Sequence, residues 1–334
     1  MKKLLLATAV AALSVSAAHA APTVYGKILL TTDYVDGNLT VKKDGNKLID
    51  KDYSTTQLNS SGSSNVTGSR IGFKGAEALT ANTDLVYQLE YGIDVDADKG
   101  DNFRSRDTYI GLSNKQYGTF VAGRLTTIDD QIQYANQASG GVLGGDDVLA
   151  SFTAPRANNA MAYFSPTYNG LQFMGMYGLD SDQDANSLSD HEQFGAGVKY
   201  EPTNQPFRVG ATYITAGDAL KAARVSGSYD LNKDVTLGAL YQNTDVDTDD
   251  NENLITVSGT YKTATPWTAY AQADVVSNVA GESDDDAQRY IIGGKYAFNA
   301  NTTGHVYGAY LNKDLANDES VDGFGIGTGI EYKF

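Results

Sequence analysis

The feature that most constrains this chain is an alternation of apolar and polar residues with a period of two, repeated from one end to the other. In the closing stretch VDGFGIGTGIEYKF, Phe324, Ile326, Thr328, Ile330, Tyr332 and Phe334 fall on one face, while Gly323, Gly325, Gly327, Gly329, Glu331 and Lys333 fall on the other. Successive side chains of a β-strand point to opposite sides, so this is a strand with one greasy face. Leu85, Tyr87, Leu89, Tyr91 and Ile93 alternate in the same way with Val86, Gln88, Glu90, Gly92 and Asp94, and Ile255, Val257, Gly259 and Tyr261 with Thr256, Ser258, Thr260 and Lys262. Sixteen such strands are expected, at 23–35, 67–76, 83–95, 104–114, 117–125, 158–166, 170–180, 191–201, 206–216, 222–231, 235–245, 253–263, 267–277, 288–298, 303–313 and 321–334. Their length of about ten residues suits a tilted strand crossing a bilayer. No segment reads as an amphipathic helix.

Alternation alone fits both a soluble sandwich, whose apolar face packs on a second sheet, and a membrane barrel, whose apolar face meets lipid. The other face separates the two. Gln88, Glu90, Asp94, Thr256, Ser258 and Lys262 would be costly in a packed core but comfortable beside water. Connections also alternate in kind: Leu231–Asp234, Thr263–Pro266 and Asn299–Thr302 are short turns, interleaved with long acidic or Gly/Ser-rich loops. Short turns on the periplasmic side and long loops outside are the habit of outer-membrane barrels, and an even strand count lets the first and last strands pair and abolish the sheet edge. The expected fold is therefore all-β, a transmembrane antiparallel barrel of about sixteen strands, wide enough to hold an aqueous channel.

The chain opens with Lys2 and Lys3, an apolar run from Leu4 to Val15 and the small-x-small sequence Ala18-His19-Ala20. This reads as a signal peptide at 1–20, with a mature barrel domain at 21–334. Its apolar run is too short to span a bilayer comfortably. Export without a lipobox cysteine suggests a Gram-negative envelope protein, and the complete absence of cysteine excludes disulfides and thiolate metal sites. The mature chain carries 23 basic and 41 acidic residues, a formal charge of −18, so nucleic acid is not an expected partner.

Several motifs in order carry a resemblance: Thr23-Val-Tyr-Gly-Lys27, Ser69-Arg-Ile-Gly-Phe-Lys-Gly75, Arg106-Asp-Thr-Tyr-Ile-Gly-Leu112, Phe120-Val-Ala-Gly-Arg124, Arg156-Ala-Asn-Asn-Ala-Met-Ala-Tyr-Phe-Ser-Pro166 and Tyr332-Lys-Phe334. Together they resemble the general, non-specific porins of the Gram-negative outer membrane, in particular the trimeric neisserial and proteobacterial kind. The resemblance implies a homotrimer of sixteen-stranded barrels in outer-membrane lipid and lipopolysaccharide, each passing small polar solutes and ions. It also implies a third external loop, here 125–156, folded into the lumen as a constriction, and a terminal Phe334 read by the barrel assembly machinery. In such porins basic wall residues face acidic residues of that loop. The matching basic positions are Lys27, Arg70, Arg106 and Arg156, with Arg104 and Arg124 as additions. Arg70 also falls on the lumen face by period two, beside Gly72 and Lys74 and opposite Ile71 and Phe73. On the acidic side Gly144-Gly-Asp146 resembles the loop-tip motif, but Val142 stands where a glutamate is expected. Asp146, Asp147, Asp129 and Asp130 are the candidate carboxylates.

Other readings fare less well. Gly323-Phe-Gly-Ile-Gly-Thr-Gly329 repeats glycine every second residue within a strand, unlike a nucleotide-binding loop that opens a helix. Asp245, Asp247 and Asp249 imitate a calcium loop, but Asp250 and Thr256 replace its glycine and its closing glutamate. The mature chain holds only His191 and His305, neither beside a nucleophile, so no enzyme, cofactor or metal centre is expected. The main alternative function is an adhesin or structural anchor, whose third loop would project outward. Local charge outweighs distant loop charge across a Debye length of about 10 Å, so the four basic wall residues tip the expectation weakly toward anions.

Overall fold

The computed structural model describes residues 22–43, 46–60, 68–96, 103–138, 141, 143–145, 147–179, 192–315 and 319–334. Seventeen strands form one antiparallel sheet: β1 (Thr23–Lys43), β2 (Asn46–Asn59), β3 (Arg70–Ala78), β4 (Thr83–Ile93), β5 (Phe103–Asn114), β6 (Gly118–Thr126), β7 (Arg156–Phe164), β8 (Leu171–Gly178), β9 (Gln193–Tyr200), β10 (Phe207–Ala216), β11 (Leu220–Asp230), β12 (Val235–Asp245), β13 (Glu252–Lys262), β14 (Trp267–Ser277), β15 (Asp286–Ala297), β16 (Thr302–Leu315) and β17 (Glu319–Lys333). The sheet closes on itself because β1 pairs with β17 from Lys27↔Lys333 to Val41↔Glu319. At the seam, Gly26 N–H donates to Phe334 O at 2.9 Å and Phe334 N–H to Gly26 O at 3.1 Å. Among the described residues the helical elements are short 3-10 turns, and no helix is long and apolar enough to cross a membrane.

Seventeen strands occupy sixteen wall positions. The lower part of β1 pairs with β3, Thr23↔Lys74 to Lys27↔Arg70, and its upper part with β2, Thr31↔Asn59 to Lys43↔Asn46. β2 and β3 thus share one position, β2 ending at Asn59 and β3 beginning at Arg70. Both serines are buried and stitch the gap: Leu29 N–H donates to Ser69 Oγ at 2.9 Å, Ser69 Oγ donates to Leu29 O at 3.0 Å, and Val95 N–H donates to Ser60 Oγ at 3.4 Å. All sixteen expected strands are present, but the stretch 36–59, expected as loop, is the top of β1 and the whole of β2. In β2, residues 50–58 are exposed on both faces, so neither face must be apolar and no alternation marks them.

The two faces answer the ambiguity left by the sequence. Phe324, Ile326, Ile330 and Tyr332 of β17, and Ile255, Val257 and Tyr261 of β13, all lie outward and exposed. Thr256 and Asp274 lie inward at 0% exposure, joined by a 2.6 Å hydrogen bond. A soluble sandwich would have the reverse arrangement. The outward row ends in aromatics at both rims, with Trp267, Tyr296 and Phe298 clustered at one (centroids 5.2 and 4.8 Å apart) and Tyr34 and Phe324 paired at the other (6.2 Å). Amphipathic rings suit the two membrane interfaces.

Candidate constriction site

The connection between β6 and β7 turns inward, as expected of the third external loop. Its two ends are tied by Thr127 N–H donating to Pro155 O at 2.9 Å, and a 3-10 turn, Ile128–Ile132, then carries the chain down inside the wall. Ile128 and Ile132 are buried at 1% and 0% exposure. Each contributes about 1.5–3 kcal/mol to holding the loop against the wall. Glycines make this approach possible: a Cβ on Gly210 would collide with the Ile132 side chain, and one on Gly238 would sit 2.8 Å from Ala135 Cα.

Polar anchors continue around the barrel. Gln272 Oε1 accepts from the N–H groups of Gln137 (2.7 Å) and Ala138 (3.1 Å), Tyr134 Oη donates to Glu201 at 2.9 Å, and Gln242 Nε2 donates to Phe152 O at 2.7 Å. Arg289 reaches Asp147 O while held by Asp274 at 2.9 Å, and Glu252 accepts from Ser151 N–H at 3.1 Å. The loop therefore lines one side of the lumen, along β9 to β17, and leaves the side built by β1, β3, β4 and β5 facing it.

That opposite side, together with Arg156 at the start of β7, carries the basic residues. Lys27 and Arg70 are register partners on β1 and β3. Arg70 and Arg106 both approach Glu90 of β4, at 3.8 and 2.6 Å, and Tyr25 Oη donates to the same carboxylate at 3.0 Å. Arg156 is bridged to Asp107 at 2.8 Å, Arg104 to Asp94 at 2.6 Å and Lys27 to Glu331 at 3.4 Å. Arg124 stands apart. Its register partner is Thr108, in the outward row of Ile110 and Leu112, and it donates to Ser105 O and Asn158 Oδ1 at the root of the loop.

The four candidate loop carboxylates do not form one acidic face. Asp129, 1% exposed, pairs with Arg224 of β11 at 3.2 Å and accepts from Ala154 N–H, so it fastens the loop to the wall. Asp147 turns into its own loop, accepting from Gln133 Nε2 and Val148 N–H. Asp130 is half-buried and faces Asp107 across a recess described below. Asp146 and Val142, like His191, lie outside the described residues. His305 is buried on the inner face of β16, next to Lys295 of β15 in register.

The carboxylates among the arginines had partial sequence signals: Glu90 and Asp94 sit on the expected lumen face, and Glu331 alternates with Ile330 and Tyr332. Asp107 did not, because strict alternation places it opposite Arg106. The β4–β5 register slips between Leu89↔Thr108 and Tyr91↔Ser105, so two residues of β5 stand against one of β4. This bulge admits both Arg106 and Asp107 to the lumen side. Five wall bases, Lys27, Arg70, Arg104, Arg106 and Arg156, thus stand among four carboxylates, Glu90, Asp94, Asp107 and Glu331.

Comparison with known proteins agrees with this architecture. The major outer membrane protein P.IB of Neisseria lactamica is 25% identical over 367 residues, covering the whole of both chains. Among solved structures, the anion-selective porin from Comamonas acidovorans superposes with a TM-score of 0.71 at 19% identity, covering 94% of this chain and all of that one. The trimer form of OmpT from Vibrio cholerae gives 0.66 at 18% identity, covering 94% and 99%. The model of the Gram-negative porin family matches residues 7–317, and the chain belongs to that family, as an outer-membrane barrel that serves as a general diffusion channel for small hydrophilic solutes.

Proposed function

We propose that the narrowest part of this channel lies between the inward loop at 125–156 and the wall row of Lys27, Arg70, Arg106 and Arg156, with Arg104 above it, and that it passes small anions with a slight preference. The observation that carries this reading is the division of the lumen: a loop that holds no basic residue before Arg156 at its end, packed along β9 to β17, facing a wall whose bases outnumber their carboxylates by one. Width sizes solutes and charge orients them. Two of the loop's carboxylates, Asp129 and Asp147, are engaged in holding the loop, so its negative field is weaker than its composition implies. Near-compensation keeps selectivity modest. The anion-selective name of the Comamonas structure points the same way, and the trimer form of OmpT supports a homotrimeric assembly. Removal of residues 1–20 in export and use of Phe334 by the assembly machinery complete the reading.

The deciding measurement is the reversal potential of purified protein in a planar bilayer under a salt gradient, for wild type, Arg70→Ala and Arg106→Ala. Each substitution should shift the potential toward cation preference. Unchanged selectivity and conductance in both would place the constriction elsewhere. A trimer that is impermeable to sugars in liposome swelling would instead favour the anchor reading.

A further inference from the structure

Beneath the 3-10 turn, a recess of about 380 Å³ runs along the inner faces of β5 to β8, with the Arg156–Asp107 bridge at its acidic end. Its acidic end holds Asp107 and Asp130; the rest is of mixed character, with Tyr109, Val121, Leu125 and Phe164 beside Thr119 and Gln172. The two carboxylates differ. Asp107 is occupied, accepting from Arg156 at 2.8 Å and from Thr126 Oγ1 at 2.6 Å. Asp130 makes no hydrogen bond or ion pair through its carboxylate among the described residues, although the loop holds it half-buried over the recess. With Asp107 matched by Arg156, the recess retains one negative charge beside the apolar side chains of Val121, Leu125 and Phe164.

We infer that this recess is a side-site for small organic cations, primary ammonium compounds with an aromatic or branched apolar body. The ammonium would donate to Asp130, and the body would lie against Leu125, Val121 and the rings of Tyr109 and Phe164, where ring packing adds to burial. The volume lies in the range of sites that hold small ligands. The site adjoins the basic row at Arg156 but carries the opposite charge, so a channel that slightly prefers anions also holds ammonium solutes at its margin. Burial, followed by the charges of Asp129 and Asp107 and against those of Arg156 and Arg224, raises the Asp130 carboxyl above its ordinary pKa. Mild acid therefore neutralises it before exposed carboxylates and empties the site.

Single-channel recording with phenethylammonium, 2-phenylethanol and 3-phenylpropionate tests the assignment, with block expressed relative to each variant's own current in potassium chloride. Phenethylammonium should give concentration-dependent block in the millimolar range, the neutral alcohol much less. Asp130→Asn should weaken block by about tenfold or more, as loss of a charge-assisted hydrogen bond does. Leu125→Trp, which fills the recess and keeps the charge, should abolish it, and lowering the pH should weaken it in wild type but not in Asp130→Asn. Equal block in Asp130→Asn and wild type, equal block by the alcohol, or no block by the ammonium would each overturn the site. Failure of the channel itself would show as absent current.

Discussion

Arg224, on the inner face of β11, shows how single residues hold the loop. Its guanidinium donates to Gln242 at 2.7 Å and Thr153 at 3.1 Å and pairs with Asp129, and both charged side chains are at most 2% exposed. Removing one partner of a buried pair leaves the other charge without compensation, at a cost of about 3–5 kcal/mol. Arg224→Ala should therefore release the root of the loop, seen as faster protease cleavage within 127–155 and a noisier open-channel current. The double variant Arg224→Met, Asp129→Ala should recover much of the loss, because it removes both charges together. A single variant as protease-resistant as wild type would show that the apolar contacts of Ile128 and Ile132 suffice.

At the scale of the elements, the loop and the wall fit because glycine stands where the loop passes. Gly210→Val would drive a branched side chain into Ile132 and push the 3-10 turn toward the channel axis, so single-channel conductance should fall while the barrel still folds. A conductance equal to wild type would mean that the loop lies elsewhere in the membrane. The strands themselves were legible in the sequence, since lipid on one side and water on the other impose period two on each crossing. β2 was not, because both of its faces are exposed. The anchors Gln242, Gln272 and Arg289 were equally silent: a polar residue on a lumen face looks the same whether it meets water or a loop distant in sequence. Asp107 was hidden by a bulge, which breaks the parity on which the reading depends. Apart from Arg70, which period two also puts in the lumen, the basic row was legible only through ordered motifs, and Asp129 was legible as a charge without its role as a fastener.

For the whole molecule, closure depends on the last residue in two ways. The Phe334 main chain makes both seam hydrogen bonds to Gly26, and its ring stacks with Tyr332 at 6.1 Å in the outward aromatic row. Phe334→Ala keeps the first and loses the second, whereas deletion of Phe334 loses both. The alanine variant should lower the yield of folded barrel in the outer membrane, and the deletion should nearly abolish it, as read by the heat-sensitive shift between folded and unfolded bands on a gel. Equal yields in all three forms would remove Phe334 from assembly altogether.

The pairing of Gly26 with Phe334 also governs timing. Most wall contacts join strands adjacent along the chain, so the sheet can grow hairpin by hairpin, but this one must bring together residues separated by roughly 300 positions, at an entropic cost of about 5 kcal/mol. Local pairings form early and distant ones late. The nascent sheet therefore exists as an open ribbon whose β1 and β17 edges invite neighbouring chains, and the interval between making the last hairpin and sealing the ring is when the protein is most exposed to aggregation.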